Sequence, residues 1–344
     1  MYRIVLLVVL AGLMSCTETT FDEAAAREQI LEMERLQRKV HFIADASTFA
    51  GLLAEPHLSV NRGVVRNTTR EENEPRFQGY FDSVHFVEWD DQAEPIIRFS
   101  DDGSLAYCVV ERRVTVQYPS DEGLYHGTTD YAWTAIYRRT TNGWEVESVT
   151  STNQEPTHDY LRNIVAHAEC TSPEGAYTTD LLADHKGFLE FRQAYSYREG
   201  GFAAQVQGDS LAQSLDDEGR VAESLEKPVI AMLQGHNFFW MYLQPGLFFQ
   251  ELDTSDPLHW RGKDALDNPV EILRDDHHYQ VQQILLRNSL DTSELITINY
   301  LQFDSTAFGP LPQELDVVQA GRDTFHFEFT DVALNTDDFP VWKD

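Results

Sequence analysis

The densest run of potential metal ligands in the chain is Asp275, Asp276, His277 and His278. Four consecutive residues in an extended strand cannot all face one ion, and an apolar alternation begins at Tyr279. The run therefore reads as a solvated turn, and the expectation is no metal and no other cofactor. His41 and Asp45 stand one helical turn apart, a spacing at which an imidazole and a carboxylate can share proton-transfer work. Asp45 also ends a helical pattern, where an aspartate commonly hydrogen-bonds its own backbone. Phe238, Phe239, Trp240, Tyr242, Phe248 and Phe249 make the densest apolar stretch outside the N-terminus. They are expected to fill a core; if part of the stretch instead lines a concave sheet, it offers an apolar groove for an acyl chain or another lipid. The chain has no His-Glu-x-x-His, no paired Cys-x-x-Cys, no Gly-x-Ser-x-Gly and no glycine-rich phosphate loop, so hydrolase, kinase and dehydrogenase readings lack support.

The 344 residues carry 57 Asp and Glu against 26 Lys and Arg, a formal charge of -31. That balance argues against binding nucleic acid through its phosphates or a membrane through a polybasic surface. Charged residues make up 24%, hydrophobic 42% and aromatic 12%, a mixture able to bury a core, and the length predicts two domains. Residues 1–15 read as a secretory signal, with Arg3, an apolar run over 4–10 and small residues up to Cys16; the run is too short to span as a stable helix. Leu13, Met14, Ser15 and Cys16 resemble the lipobox of bacterial lipoproteins. The resemblance implies that Cys16 is acylated and anchors the chain to a membrane, with residues 16–23 as a polar tether. Two acyl chains at about 0.8 kcal/mol per buried methylene suffice for stable anchoring. The expected address is the bacterial cell envelope, facing the periplasm or the cell surface. In that oxidising compartment Cys108 and Cys170 could form one disulfide; alternatively Cys108, which sits in an apolar alternation, is a buried core thiol.

Positioning these residues falls to two halves of different texture. Ile30, Met33, Leu36, Val40 and Ile43 recur every three or four residues, predicting an amphipathic helix over 24–44 that carries His41. A second helix is expected over 49–53, a strand at 58–60, and a helix over 69–81 capped by Thr68 or Thr69. The period then drops to two. Strands are predicted at 96–99, 105–110, 114–118, 131–137 and 144–149, with turns at Asp102 and Gly103 and at Asn142 and Gly143. Beyond them, Leu161, Ile164, Val165 and Ala168 predict a linking helix over 159–168, inside a connector at 154–174. The second half, 175–344, shows strand patterns at 188–195, 202–206, 279–286, 296–303 and 325–329. They are interrupted by a helical spacing of Leu225, Val229, Met232 and Leu233.

The order of helices and then a long antiparallel meander, together with FIAD at 42–45, FQGYF at 77–81, PIIRFSDDG at 95–103 and a hairpin over 133–144 followed by VTST at 149–152, resembles the nuclear transport factor 2-like superfamily. The similarity is to its SnoaL-like and ketosteroid-isomerase-related domains and covers residues 24–153. It implies a cone, a curved antiparallel sheet wrapped on helices around a pocket for an apolar small molecule, with Tyr80, Tyr107, Tyr131 and Trp133 as pocket candidates. It also implies how the cone could work as an enzyme: Asp45 as base, His41 beside it, and one of the tyrosines donating to a developing oxyanion. Glu55, Pro56 and His57 stand where related sequences carry an acidic residue entering the first strand. More loosely, WRGKD at 260–264, YQV at 279–281, YLQFD at 300–304 and FEFTDVALN at 327–335 resemble the periplasmic lipoprotein-carrier family. That implies a half-barrel of antiparallel strands with a helix across its concave side, and makes Phe238, Phe239 and Trp240 its pocket candidates.

The expectation is an α+β envelope lipoprotein acting as a non-catalytic binding module for an apolar small molecule or lipid. Two alternatives stand beside it: an isomerase or hydratase using the cone pocket, and a structural subunit forming a homodimer through the cone's sheet. The partners expected are the membrane, through the N-terminal lipid, and the apolar ligand, with no nucleic acid.

Overall fold

The computed structural model describes residues 21–207, 211–215, 221–319 and 323–337. The signal segment, Cys16 and residues 17–20 of the tether lie outside the described residues. Among the described residues no helix is long and apolar enough to cross a membrane.

Local sequence rules set the first elements. Helix α1 (Glu23–Phe42) begins at Asp22, whose side chain accepts the Ala25 N–H at 3.0 Å, and it carries Glu23 in its first turn and Lys39 and His41 in its last. That charge order suits the helix dipole. Asp45 caps α2 (Ala46–Leu52) in the same way, and α3 (Arg70–Phe81) opens with a reciprocal capping box between Thr69 and Glu72. Ile30, on the buried stripe of α1, joins Ile97, Cys108, Val110 and Val146 in one core beneath the sheet.

That sheet has eight strands: β1 (Leu53–Asn61), β2 (Val64–Thr68), β3 (His85–Asp91), β4 (Ile96–Phe99), β5 (Leu105–Ser120), β6 (Gly123–Thr140), β7 (Gly143–Asn153) and β8 (Thr157–Leu161). Their order is β2-β1-β7-β6-β5-β3, with β4 also on β5 and β8 also on β6. The sheet is mixed, where an antiparallel one was expected: β1 runs parallel to β7, with α3 and the intervening strands forming the long crossover that parallel pairing requires. Bulges between Phe86 and Glu88 and between Ile136 and Tyr137 bend the strands.

Two expectations change here. The strands predicted at 105–110 and 114–118 are one 16-residue strand, β5. The charged run between them is no turn, because Arg112 points inward to Glu34 and Arg113 pairs with Asp130 across the ladder. With β6 at 18 residues, this hairpin is about three times an ordinary strand length and overreaches the first domain. Its turn needs Gly123, at φ +137°, since a Cβ there would lie 2.7 Å from the Leu161 carbonyl oxygen. The predicted linking helix at 159–168 is instead the end of β8 and most of β9 (Asn163–Ser172). Ile164, Ala166, Ala168 and Cys170 are all buried, the period of two that marks a strand.

From β9 the chain runs up a meander through β10 (Gly175–Asp184), β11 (Phe188–Tyr195), β12 (Gly201–Gln207), β13 (Leu211–Leu215) and β14 (Val221–Ser224). Helices α4 (Lys227–Gln234) and α5 (Phe238–Leu243) lead to the opposite edge and a second meander: β15 (Gln250–Asp253), β16 (His259–Lys263), β17 (Pro269–Arg274), β18 (Val281–Arg287), β19 (Leu295–Thr306), β20 (Gly309–Gln319) and β21 (Asp323–Leu334). β21 pairs with β9, so both meanders form one open thirteen-stranded antiparallel sheet whose described edges are β14 and β15. The aromatic side chains of α5 pack on its middle strands: Phe238 lies 5.0 Å from Phe327, Phe239 4.7 Å from Phe329, and Tyr242 5.5 Å from Tyr300.

The disulfide considered between Cys108 and Cys170 is absent. Both thiols are free and buried, Cys108 in the first core and Cys170 in the second. Burial pushes them up, to about 12 and about 11 respectively.

Candidate functional site

Within the first domain, α1 meets the sheet through a buried charge network. Glu34 Oε1 accepts the Tyr137 hydroxyl at 2.5 Å, Glu34 Oε2 accepts Arg112 Nη1 at 3.0 Å, and Gln37 Nε2 donates to the Tyr137 oxygen at 3.2 Å. Arg112 Nε also donates to Asp91 at 2.5 Å, and its guanidinium lies 5.1 Å from the Trp133 ring centre and 6.0 Å from that of Trp89. The Glu34 and Arg112 side chains are each 4% exposed. Although burial works against the charge, Glu34 and Asp91 hold Arg112 above its ordinary pKa, while burial and then Glu34 hold the Tyr137 phenol well above its own. Each charged group here has its partner.

The residues expected to do acid–base work are engaged elsewhere. Asp45 Oδ1 accepts the Thr48 N–H at 2.9 Å as the cap of α2. His41 Nδ1 donates to the Gln37 carbonyl at 2.6 Å, and its ring is enclosed by Phe49, Phe81, Phe86 and Trp89, the last at 3.9 Å. Burial pulls the His41 pKa down to about 4, so the ring is neutral at physiological pH. Trp133 and Tyr131 pack beside the Arg112 network, whereas Tyr80 and Tyr107 are exposed, Tyr107 on the outer face of the sheet opposite Ile136. These candidates do not converge on one cavity.

Three sizeable cavities are found among the described residues. One, of about 530 Å³, opens beside the cone and is lined by Gln37, His57, Phe77 and three arginines, Arg62, Arg66 and Arg76. His57 Nδ1 donates to the Val146 carbonyl at 3.1 Å, and burial lowers its pKa, Arg76 adding to the effect. A second, of about 460 Å³, lies between α4 and the second sheet and is lined by Tyr177, Phe191, Tyr195, Phe202, His236 and Phe238. Of the three aromatic candidates only Phe238 reaches it; Phe239 and Trp240 are core.

The third cavity, about 530 Å³, forms where the far end of the β5–β6 hairpin meets the second sheet, and falls inside the ~300–1,000 Å³ range of small-molecule pockets. His85, Gln117 and Leu124 line it from the first domain, Tyr242, Trp260 and Phe308 from the second. Its walls are fixed across the domain junction. Phe42 stacks on Tyr279 at 5.5 Å, Arg38 Nη1 donates to the His277 carbonyl at 2.8 Å, and Gln117 Nε2 donates to the Phe308 carbonyl at 3.1 Å. The run from Asp275 to His278 is a turn, Asp275 accepting the His277, His278 and Gln280 amides, but a turn docked on the first domain. Among the described residues no group of three or more His, Cys, Asp or Glu is arranged to hold a metal ion.

One wall residue is chemically distinct. Arg274 is 7% exposed; its Nε donates to the Tyr279 carbonyl at 2.5 Å, its Nη1 to the Pro257 carbonyl at 3.1 Å, and its Cζ lies 4.2 Å from the centre of the Trp260 ring. Nη2 has no partner, nor have the buried Trp260 Nε1 and His185 Nε2, which line the same cavity. Sequence reasoning missed Arg274, though a signal was present. Val270, Ile272 and Arg274 alternate on the buried face of β17, so a cation occupies a core-facing position of a strand.

Three helices on one face of a bent mixed sheet, followed by the long β5–β6–β7 meander, give the N-terminal region a fold like that of nuclear transport factor 2-like (NTF2-like) proteins, and the likeness covers about 40% of the chain. No family model and no curated protein matches the sequence. Solved structures similar to the N-terminal region include an NTF2-like protein of unknown function in nutrient uptake from Rhodospirillum rubrum, 18% identical over 39% of this chain and 100% of that one, with a TM-score of 0.30. An NTF2-like protein from Cytophaga hutchinsonii is 17% identical over 37% of this chain and 98% of that one, with a TM-score of 0.29.

Proposed function

We propose that the protein is an envelope lipoprotein, anchored through acylated Cys16, that works as a non-catalytic binding module and takes an apolar small molecule or lipid into the cavity between its domains. The observation that carries this reading is the cavity's wall, built mostly of apolar side chains from both domains, among them Leu124, Tyr242, Leu252, Trp260, Val281 and Phe308. Apolar surface removed from water there contributes roughly 25 cal/mol per Å². The fixed contacts across the junction mean that little ordering cost opposes binding. Within this reading the second half's open sheet, with α5 packed on its middle, is the carrier-like part. Because Asp45 is used as a helix cap and His41 as a packed core ring, binding is favoured over isomerase or hydratase chemistry.

Titration of the full chain with Nile red tests this. The wild type should give saturable binding with enhanced emission. Val87→Trp, which fills the cavity from a half-buried wall position, should weaken that binding at least tenfold without lowering the thermal midpoint. Unchanged binding by a folded Val87→Trp would reject the interdomain cavity as the site.

A second reading has its own observation. Ile96, Leu105, Tyr107 and Ile136 are exposed neighbours on the outer face of the first sheet, an apolar patch suited to a homodimer. Sedimentation velocity of the wild type and of Tyr107→Glu tests it, a dimer dissociated by the substitution being the expected result.

A further inference from the structure

The interdomain cavity holds a buried cation that makes no ion pair with any described carboxylate. Two neutral backbone carbonyls take Arg274 Nε and Nη1, and Nη2 is left unpaired in a side chain that is 93% buried by its 7% exposure. No described carboxylate lies within ion-pair distance of it; Asp275, the next residue along, has its oxygens turned onto the amides of its own turn and favours the charged guanidinium only through space, too weakly to offset its burial. In a chain with 57 acids and 26 bases this is an uncommon environment for an arginine. A guanidinium taken out of water carries a desolvation penalty that an opposite charge offsets, and charge-assisted hydrogen bonds are the strongest such contacts available to it. Burial pulls its pKa down to about 10, which still leaves it protonated at neutral pH. His85 beside it does not compete: burial and Arg274 together pull that imidazole down to about 3, so it stays neutral.

We propose that the cavity takes an amphipathic carboxylic acid, with its apolar body against Leu124, Tyr242, Val281 and Phe308 and its carboxylate on Arg274. The proposal rests on the interdomain cavity being the binding site. Trp260 Nε1, a second buried donor without a partner on a residue of that wall, would take the other carboxylate oxygen. Arg274 is the only arginine or lysine among the lining residues, so the wall matches one negative charge; a phosphate dianion would call for a second cation.

Calorimetric titration of the full chain with dodecanoate, dodecan-1-ol and dodecyl phosphate separates the cases. Dodecanoate should bind about tenfold or more tightly than the alcohol, as one charge-assisted contact implies, and more tightly than the phosphate. Arg274→Met should bring dodecanoate down to the alcohol's affinity and leave the alcohol within about twofold of wild type. Arg274→Lys, which keeps the charge and guards against a folding failure of the methionine variant, should retain the preference for the acid. Equal affinities for acid and alcohol in the wild type would overturn the carboxylate assignment while leaving the apolar cavity standing, as would tighter binding of the phosphate. If none of the three ligands binds, the cavity reading itself falls.

Discussion

Replacing Arg112 with methionine removes one half of the best-buried ion pair in the first domain. Both partners are 4% exposed, and without the guanidinium Glu34 keeps a single donor, the Tyr137 hydroxyl at 2.5 Å. The second carboxylate on Arg112, Asp91, is 39% exposed and can be rehydrated, so its loss adds little. An uncompensated buried carboxylate costs about 3–5 kcal/mol, and that is the destabilisation expected for Arg112→Met. In the double variant Glu34→Leu with Arg112→Met no buried charge remains, and the main penalty left is the Tyr137 O–H without an acceptor, its oxygen still accepting from Gln37 Nε2, about 1–3 kcal/mol. The double variant should therefore be more stable than Arg112→Met alone. Equilibrium urea unfolding, followed by the fluorescence of Trp89 and Trp133 beside the network, measures both. If Arg112→Met lies within about 1 kcal/mol of wild type, or if the two substitutions simply add, the network does not hold the helix to the sheet as described.

The His41 ring, with its pKa lowered from 6.5 to about 4, resists protonation in the folded protein, so the unfolded chain gains the proton first as the pH falls. Stability should fall by about 3 kcal/mol between pH 6.5 and pH 4, at 1.36 kcal/mol per unit, and His41→Phe should flatten that slope in a series of urea melts. Trp240→Ala should cost about 3–5 kcal/mol, because Trp240 is fully buried in the second core; a change below 1 kcal/mol in urea unfolding would place it in an open groove instead. Cys108 and Cys170 should both resist a thiol-directed disulfide reagent in the native state and both react on unfolding without prior reduction. A single reactive thiol, or none, after denaturation would contradict the free-thiol assignment.

Much of the fold was legible because local signals and tertiary demands agree. The capping residues that bound α2 and α3, Asp45 and Thr69, were readable, and the alternation at 96–99 and 188–195 fell on β4 (Ile96–Phe99) and β11 (Phe188–Tyr195). Where the pattern misled, a partner distant in sequence was responsible. Arg112 sits inward in mid-strand only because Glu34 waits for it on α1, and residues 163–168 form a strand because β21, from the far end of the chain, pairs with them. The aromatic run at 238–242 was read as core, and Phe239 and Trp240 are buried there. The interdomain cavity had no comparable local signature. Its wall draws on β5 and β6 of one domain and on β17 and the turn before β18 of the other, and Arg274 acquires its meaning only when those surfaces meet.

The most direct test of the binding role is photolabelling of the full chain with an apolar probe carrying a diazirine, followed by mapping of the modified peptides. Label concentrated on residues 117–124, 242–247 and 279–281, and lost in Val87→Trp, is the predicted result. Label confined to the groove around Tyr177, Tyr195 and His236, or to the arginine-lined cavity beside His57, would contradict it.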